Sequence, residues 1–426
     1  MILSFSVQNF LSFKERVTLS FEATNDKHLE EYHVVQVNEK TRINKLGVVY
    51  GANASGKSNL IKAFLFLHDF FETTMTSKDK HLPFNPFLLN ESDKDENSHF
   101  ELAFFIGSQK HLYQLEFNKQ HVVSEQLLKY KSIRPTVLFQ RKLKNKVTEI
   151  RFNETLGISK AVKEEIQVKC LNNMSVFAAL GQVNARLPEI EDVTGWFANR
   201  FHPVVTPDTQ LSGFAKGLIS QDETARKYVV ALLNYADFNI EDVLIKRTEH
   251  KLTEQQIAEL LAIDQISAEV KAQLETKKTI PILEAKYAHR VVNKEGTTRS
   301  VDLPEALQSA GTLRTMGLAG VFHRVLTSEG FVAIDEMESS LHPKLIHHLI
   351  ETFLKESKKS QLLFTTHYDG LLADEELLRK DTIWFTEKQP DGGSALYSLI
   401  DFKGVNRIAS LQKAYRYGKF GAIPNL

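Results

Sequence analysis

The chain of 426 residues has one cysteine, Cys170. That excludes an internal disulfide framework and any cysteine-based zinc cluster, and it suits a reducing cytosol. It has no net charge: 53 Lys and Arg balance 53 Asp and Glu. No global field therefore draws it to nucleic acid or to a membrane, and any such contact has to be local. Long apolar runs are missing as well. The longest, residues 63–71, is broken by His68 and Asp69 and is too short to span a bilayer. The opening Met1-Ile2-Leu3-Ser4-Phe5-Ser6-Val7 lacks the basic start and apolar core of a signal peptide, so a cytoplasmic protein is expected. Sustained heptads, internal repeats and low-complexity linkers are also absent. An apolar share of 42% leaves ample core for one large or two medium domains.

What is present centres on Gly51-Ala52-Asn53-Ala54-Ser55-Gly56-Lys57-Ser58, which fits the phosphate-binding pattern G-x-x-x-x-G-K-[ST]. Residues 46–50 before it read as a buried strand, and residues 59–71 after it as an apolar helix. Strand, glycine loop and helix is the context such a loop requires. Glycines let backbone N–H groups turn toward phosphates, and the helix N-terminus adds positive partial charge. In that pattern Lys57 reaches the β and γ phosphates and the Ser58 hydroxyl ligates Mg²⁺.

Hydrophobic periodicity organises the rest. Residues 2–8 and 17–22 alternate as strands, with Phe10 to Lys14 as their connection. Residues 72–98 are polar and charged and read as a loop. Period two then predicts an antiparallel meander over 100–106, 111–117, 121–130, 136–143 and 147–152. Helical spacing follows over 160–171, 175–180, 190–201, 223–236 and 253–277, the last opened by a capping-box pattern at Thr253. Strands 280–292 and 297–303 flank a hairpin signal at 293–296. The last third alternates again: helix 312–326, strand 330–334, helix 343–356 with Pro343 in its first turn, and strands 361–366 and 382–385. The expected fold is α/β, a P-loop core with a mixed sheet, an antiparallel meander and an inserted helical lid. Its expected divisions are 1–155, 156–280 and 281–426.

Three further segments carry chemistry. Residues 331–334 form an apolar strand ending in Asp335 and Glu336, a Walker B pattern. Asp335 would hold Mg²⁺ opposite Ser58, and Glu336 would polarise an attacking water. The strand over 361–366 ends at His367, placed to hydrogen-bond a γ-phosphate or that water. Ser309-Ala310-Gly311-Thr312 opens a helix and fits either an anion site or a plain N-cap.

In this order these segments resemble the ABC-type ATPase heads of SMC, break-repair and OLD proteins. In detail they resemble the stand-alone AAA-labelled ATPases of phage defence, the RloA and PARIS AriA kind. The resembling residues are Asn9-Phe10-Leu11-Ser12-Phe13, Gly51 to Asn59, Ser309 to Thr312, Ile334 to Pro343, Thr365-Thr366-His367 and Tyr417 to Pro424. The resemblance implies ATP and Mg²⁺ as ligands, with Gly51, Asn53, Ala54, Ser55, Gly56, Lys57, Ser58 and Asn59 around the phosphates. It implies Lys57, Glu336 and His367 as the hydrolytic set. It also implies a homodimer or higher homo-oligomer in which Ser309 and Gly311 contact the ATP of the other protomer, with Glu338 to His342 as a D-loop across the interface. The segment Gln308 to Thr312 departs from the usual Leu-Ser-Gly-Gly, which leaves the hydrolysis rate open. Gln140 and Gln182 both remain candidates for a Q-loop glutamine.

Neither a coiled coil nor an Arg-(x4–6)-His ribonuclease motif is present. The chain runs only about sixty residues past His367, little room for a nuclease domain. The resemblance therefore implies a separate effector, such as a TOPRIM-type nuclease, held and released by ATP state in anti-phage defence. The alternatives are a DNA-clamping repair ATPase and a scaffold with vestigial hydrolysis. Lys129, Lys131, Arg134, Arg141, Lys142, Lys144, Lys146 and Arg151, with Glu149 as the only acid nearby, fit either nucleic-acid contact or solvated sheet edges.

Overall fold

The computed structural model describes the chain except residues 90–95, 146, 237–238, 262–270, 272–273, 275 and 424–426. Most of the charge run Glu91 to Glu96 in the expected loop 72–98, Lys146, Pro424 and much of the expected helix 253–277 thus lie outside the described residues. Of that helix, Glu254–Leu261 is described. The strands, in chain order, are β1 (Ile2–Gln8), β2 (Val17–Ser20), β3 (Val34–Gln36), β4 (Arg42–Asn44), β5 (Leu46–Gly51), β6 (Ser98–Ile106), β7 (Gln109–Phe117), β8 (Val122–Tyr130), β9 (Thr136–Lys144), β10 (Val147–Phe152), β11 (Ile240–Lys251), β12 (Thr279–Val292), β13 (Thr298–Pro304), β14 (Phe331–Ile334), β15 (Gln361–Thr365), β16 (Ile383–Lys388) and β17 (Ser394–Ser398). They belong to two compact units, Met1–Pro207 with Val325–Leu426, and Asp208–Arg324.

In the first unit the period-two segments pair into a seven-stranded antiparallel sheet, β10-β9-β8-β7-β6-β1-β2. The continuous apolar strands form a second, mixed sheet, β14-β15-β5-β16-β17. It is parallel from β14 to β16 and antiparallel at β17. Segment 201–205 runs parallel beside β14, with the His202 and Val205 N–H groups donating to Phe331 and Ala333. Helix Lys57–Glu72 buries most of its circumference, leaving only the narrow stripe of Lys62, Asp69 and Glu72 exposed, because it is covered from both sides. Phe64 lies 4.2 Å from Phe5 on β1 and 5.1 Å from Phe331 on β14, and Phe66 stacks 4.5 Å from Phe117 on β7. Gln361 on β15 exchanges hydrogen bonds with the Ile2 backbone of β1, tying the two sheets together at 2.5 and 2.9 Å.

Helices Lys160–Lys169, Val176–Leu180 and Pro188–Arg200 also belong to the first unit. Phe177, Trp196 and Phe197 pack on Phe71, Phe104, Tyr113 and Phe139. These apolar faces are buried on the meander, so the separate unit begins well after the expected boundary at residue 156. That unit is mixed. It holds the three-stranded sheet β11-β12-β13, with helices Leu211–Gln221 and Glu223–Tyr235 packed on β11 and β12.

The basic cluster divides: Lys131, Arg134, Lys142, Lys144 and Arg151 are exposed, as solvated sheet edges require, whereas Arg141 is not. Arg141 is wholly buried, its guanidinium donating to Glu125, to the Met174 and Leu171 carbonyls and to Thr148. Glu189, from helix Pro188–Arg200, pairs with Lys129 at 2.9 Å and lies 4.0 Å from Lys131. Glu149 pairs with Lys144 and Arg151 at 2.8 and 2.6 Å. Among the described residues no helix is long and apolar enough to cross a membrane.

Candidate active site

β5 delivers the chain to the glycine loop at the C-terminal edge of the mixed sheet. A Cβ on Gly51 would lie 2.5 Å from both Ser55 Oγ and Thr386 Oγ1, so only glycine lets the loop fold back over β16. Ala54 and Gly56 take left-handed φ values of 60° and 114°. Successive turns of this kind aim backbone N–H groups inward, as an anion cradle requires. Gly56 then caps helix Lys57–Glu72 with no side-chain hydrogen bond, and the first turn holds no acid. The helix therefore presents its positive end to the loop.

Segments remote in sequence brace the loop. Ser55 Oγ meets Thr386 Oγ1 at 2.7 Å. Ser12 Oγ takes hydrogen bonds from Asn59 Nδ2 and Ser394 Oγ, each at 2.8 Å. Asn53 and Ala54 are exposed at the tip, Ser55, Gly56 and Lys57 are buried, and Ser58 and Asn59 are half-buried. Lys57 Nζ donates to the Gly51 and Ala52 carbonyls at 2.8 and 3.0 Å. Burial lowers its pKa to about 8, against the pull of Asp335, Glu338 and Glu336. It stays cationic at neutral pH.

Asp335 follows β14. Its N–H donates to Val205 at 2.7 Å, and its Oδ1 accepts from Thr365 Oγ1 at 2.6 Å. Thr365 Oγ1 also accepts the Glu336 N–H at 2.8 Å. Glu336 sits at φ 47°, a backbone turn that separates its side chain from the strand register. His367 follows β15, and its N–H donates to Glu338 Oε1 at 2.5 Å. Desolvation and then Lys57 hold its imidazole pKa below the usual value, while Glu338, Glu336 and Asp335 oppose them. Lys57, Asp335, Glu336, Glu338 and His367 thus share one electrostatic neighbourhood.

The donor set fits Mg²⁺ held with a nucleotide. Among the described residues no cluster of three or more His, Cys, Asp or Glu side chains could hold a metal. Mg²⁺ shared with phosphates needs only one or two protein oxygens, such as the Asp335 carboxylate and Ser58 hydroxyl.

Ser309 and Gly311 lie in the second unit. There Ser309 is the N-cap, its Oγ accepting the Thr312 N–H at 3.0 Å, and the Gly311 carbonyl accepts Thr315 Oγ1 at 2.8 Å. Gln140 donates its amide to Gln126 across the meander, and the Gln182 carbonyl accepts from Lys169. Sequence reasoning missed Thr386 and Ser394, whose contacts with the loop depend on strands more than 300 positions away. It placed Ser12 only through the resemblance.

A family model described as "AAA domain, putative AbiEii toxin, Type IV TA system" matches residues 46–165 and 219–373, more than half of the chain. No curated protein matches. Among solved structures, the chain is similar to the SMC head domain from Thermotoga maritima, at 12% identity and TM-score 0.40, covering 93% of this chain and 98% of that one. It is similar to an SMC head bound to the C-winged helix domain of ScpA, at 13% identity and TM-score 0.44, covering 97% and 99%. A third similarity is to the SMC head with an extended coiled coil from Pyrococcus furiosus, bound to the C-terminal domain of ScpA, at 12% identity and TM-score 0.38, covering 98% of each chain.

Proposed function

The chain belongs to this AAA-domain family, and from there we propose that it binds ATP with Mg²⁺ and hydrolyses it to ADP and phosphate. The observation that carries the reading is the arrangement of three neighbouring parallel strands, β14, β15 and β5. Their ends supply Asp335 and Glu336, His367, and the glycine loop with Lys57. Lys57 binds the β and γ phosphates, with the loop N–H groups and the helix end cradling the charge. Ser58 and Asp335 hold Mg²⁺, which neutralises charge developing on the phosphates. Glu336 polarises the attacking water, and His367 faces the γ-phosphate. Phosphate release in Mg²⁺ and ATP tests this. Lys57→Ala should lose nucleotide binding, whereas Glu336→Gln should keep binding and lose at least about a hundredfold in turnover. A wild type at background rate, or Glu336→Gln at the wild-type rate, would overturn it.

The finer role we infer is that of a cytoplasmic ATP-dependent sensor in anti-phage defence. Two or more copies close around ATP, with Ser309 and Gly311 serving the partner's nucleotide. A separate effector, such as a TOPRIM-type nuclease, is restrained until a trigger arrives. This reading rests on the sequence resemblance to phage-defence ATPases; the matched family description adds only a putative AbiEii toxin of a Type IV TA system. The ion pairs of Glu189 and Glu149, together with the burial of Arg141, weigh against the DNA-clamping alternative. Pull-down from the native host with and without ATP tests the effector. Self-association of Glu336→Gln only in ATP tests the assembly. Tight, salt-dependent duplex binding by the chain alone would favour the clamp.

A further inference from the structure

The loop after β14 holds a third carboxylate, Glu338, whose Oε1 accepts the His367 backbone N–H at 2.5 Å. The resemblance assigns this residue to a surface shared with another protomer, yet its side chain is turned into its own site. Among the described residues its second oxygen, Oε2, is buried and has no hydrogen-bond partner. The Tyr50 hydroxyl, at the end of β5, is likewise fully buried and unpartnered. The Tyr50 ring stands among Tyr415 and Phe385, at 5.8 and 6.2 Å. These two buried polar groups, left unmet, forfeit their hydration with nothing in return. One is an acceptor and the other a donor. The Thr366 N–H donates to the Val49 carbonyl at 3.1 Å, so the loop after β15 starts beside the end of β5. Burial first, and then nearby charges that include Glu338, raise the pKa of the Tyr50 hydroxyl.

We propose that Glu338 is a positioning residue of the nucleotide site, holding the His367 backbone through Oε1 and taking the Tyr50 hydroxyl on Oε2, directly or through one water. The end of β5, the loop after β14 and the loop after β15 then form one hydrogen-bonded chain. Where His367 stands relative to Lys57 is set by that chain, and so is its distance to a γ-phosphate. This rests on the ATPase reading above.

Steady-state ATP hydrolysis by the full chain tests it. Glu338→Ala should lower kcat at least about tenfold, as misplacing a positioned group does, with KM changed less than about threefold. Glu338→Gln should recover most of that loss, because its amide oxygen still accepts the His367 N–H. Tyr50→Phe should show a smaller loss of the same kind. In a His367→Ala background, Glu338→Ala should add little. Additive losses, a wild-type rate in Glu338→Ala, or a Glu338→Gln loss as deep as that of Glu336→Gln would overturn the proposal, the last by marking Glu338 as a proton acceptor. If Glu338→Ala fails to fold, Glu338→Asp, which withdraws the oxygen by one methylene, takes its place under the same criteria. A wild type without turnover would sink the ATPase reading alone. Hydrogen exchange at the His367 amide then decides: protection kept in Glu338→Gln and lost in Glu338→Ala supports the clamp, and equal protection in both refutes it.

Discussion

Gly56 stands at φ 114°, and a Cβ there would lie 2.4 Å from Ser394 Oγ and 3.0 Å from Ser12 Oγ. Both the backbone and the bracing hydroxyls therefore demand glycine. Gly56→Ala should cost at least about 2 kcal/mol in urea unfolding and abolish binding of a fluorescent ATP analogue. The glycine loop between its strand and helix, and the apolar strand that ends at Asp335, could be read from the chain because they follow from short local motifs. Arg141 could not. Its neighbours in sequence, Lys142 and Lys144, suggest a basic strip. On β9, however, side chains alternate between faces, and Arg141 takes the inner one, facing Glu125 on β8. Glu338 shows the same limit from the other side: a residue in an acidic loop motif acquires its meaning from the His367 backbone it holds.

At the scale of elements, helix Lys57–Glu72 could be read because its apolar run is long and follows a strand and a glycine loop. Its polar stripe is narrow, only Lys62, Asp69 and Glu72 being exposed, because a sheet lies on either side. Phe64, fully buried against Phe5 and Phe331, is where the two sheets meet the helix. Phe64→Ala should destabilise the chain by about 3–5 kcal/mol, read from the urea midpoint at unchanged slope. Several elements escaped the periodicity, helix Leu211–Gln221 and β11 among them. Helix Leu211–Gln221 contains Gly213 and Gly217, which weaken its local signal. It forms because Leu211, Ala215 and Ile219 are buried, and Leu211 packs where Gly317 leaves room on helix Ala310–Ser328. β11 is mostly charged, with only Ile240 and Val243 buried, and it is held by its long pairing with β12.

For the whole molecule, acid is the stress that the buried core makes specific. His33 and His111 are both buried, and burial lowers each pKa to about 4 against a backbone hydrogen bond, to Leu377 at His33 and to Gln109 at His111. Arg379 and Lys45 reinforce the shift at His33 against Asp381, and Lys129 does so at His111 against Asp192 and Glu189. The unfolded chain, with histidines near 6.5, binds more protons, so stability is complete above that value and falls as pH drops toward 4. Each histidine should account for up to about 3 kcal/mol of that loss. Urea unfolding between pH 7 and 4 should show it, and His33→Asn with His111→Asn should flatten the curve. A steep curve in the double variant would assign the acid sensitivity to carboxylates instead. By itself the sequence determined the glycine loop, the apolar strand ending in Asp335 and Glu336, the strand before His367, and the meander, because each rests on spacing within a few residues. Tertiary structure alone decided that helices 160–200 belong with the first unit, that Arg141 is core, that Ser12, Thr386 and Ser394 brace the loop, and that Glu338 meets His367. Those depend on which faces of distant strands come together, and burial on a common core, which no local period encodes, selects them.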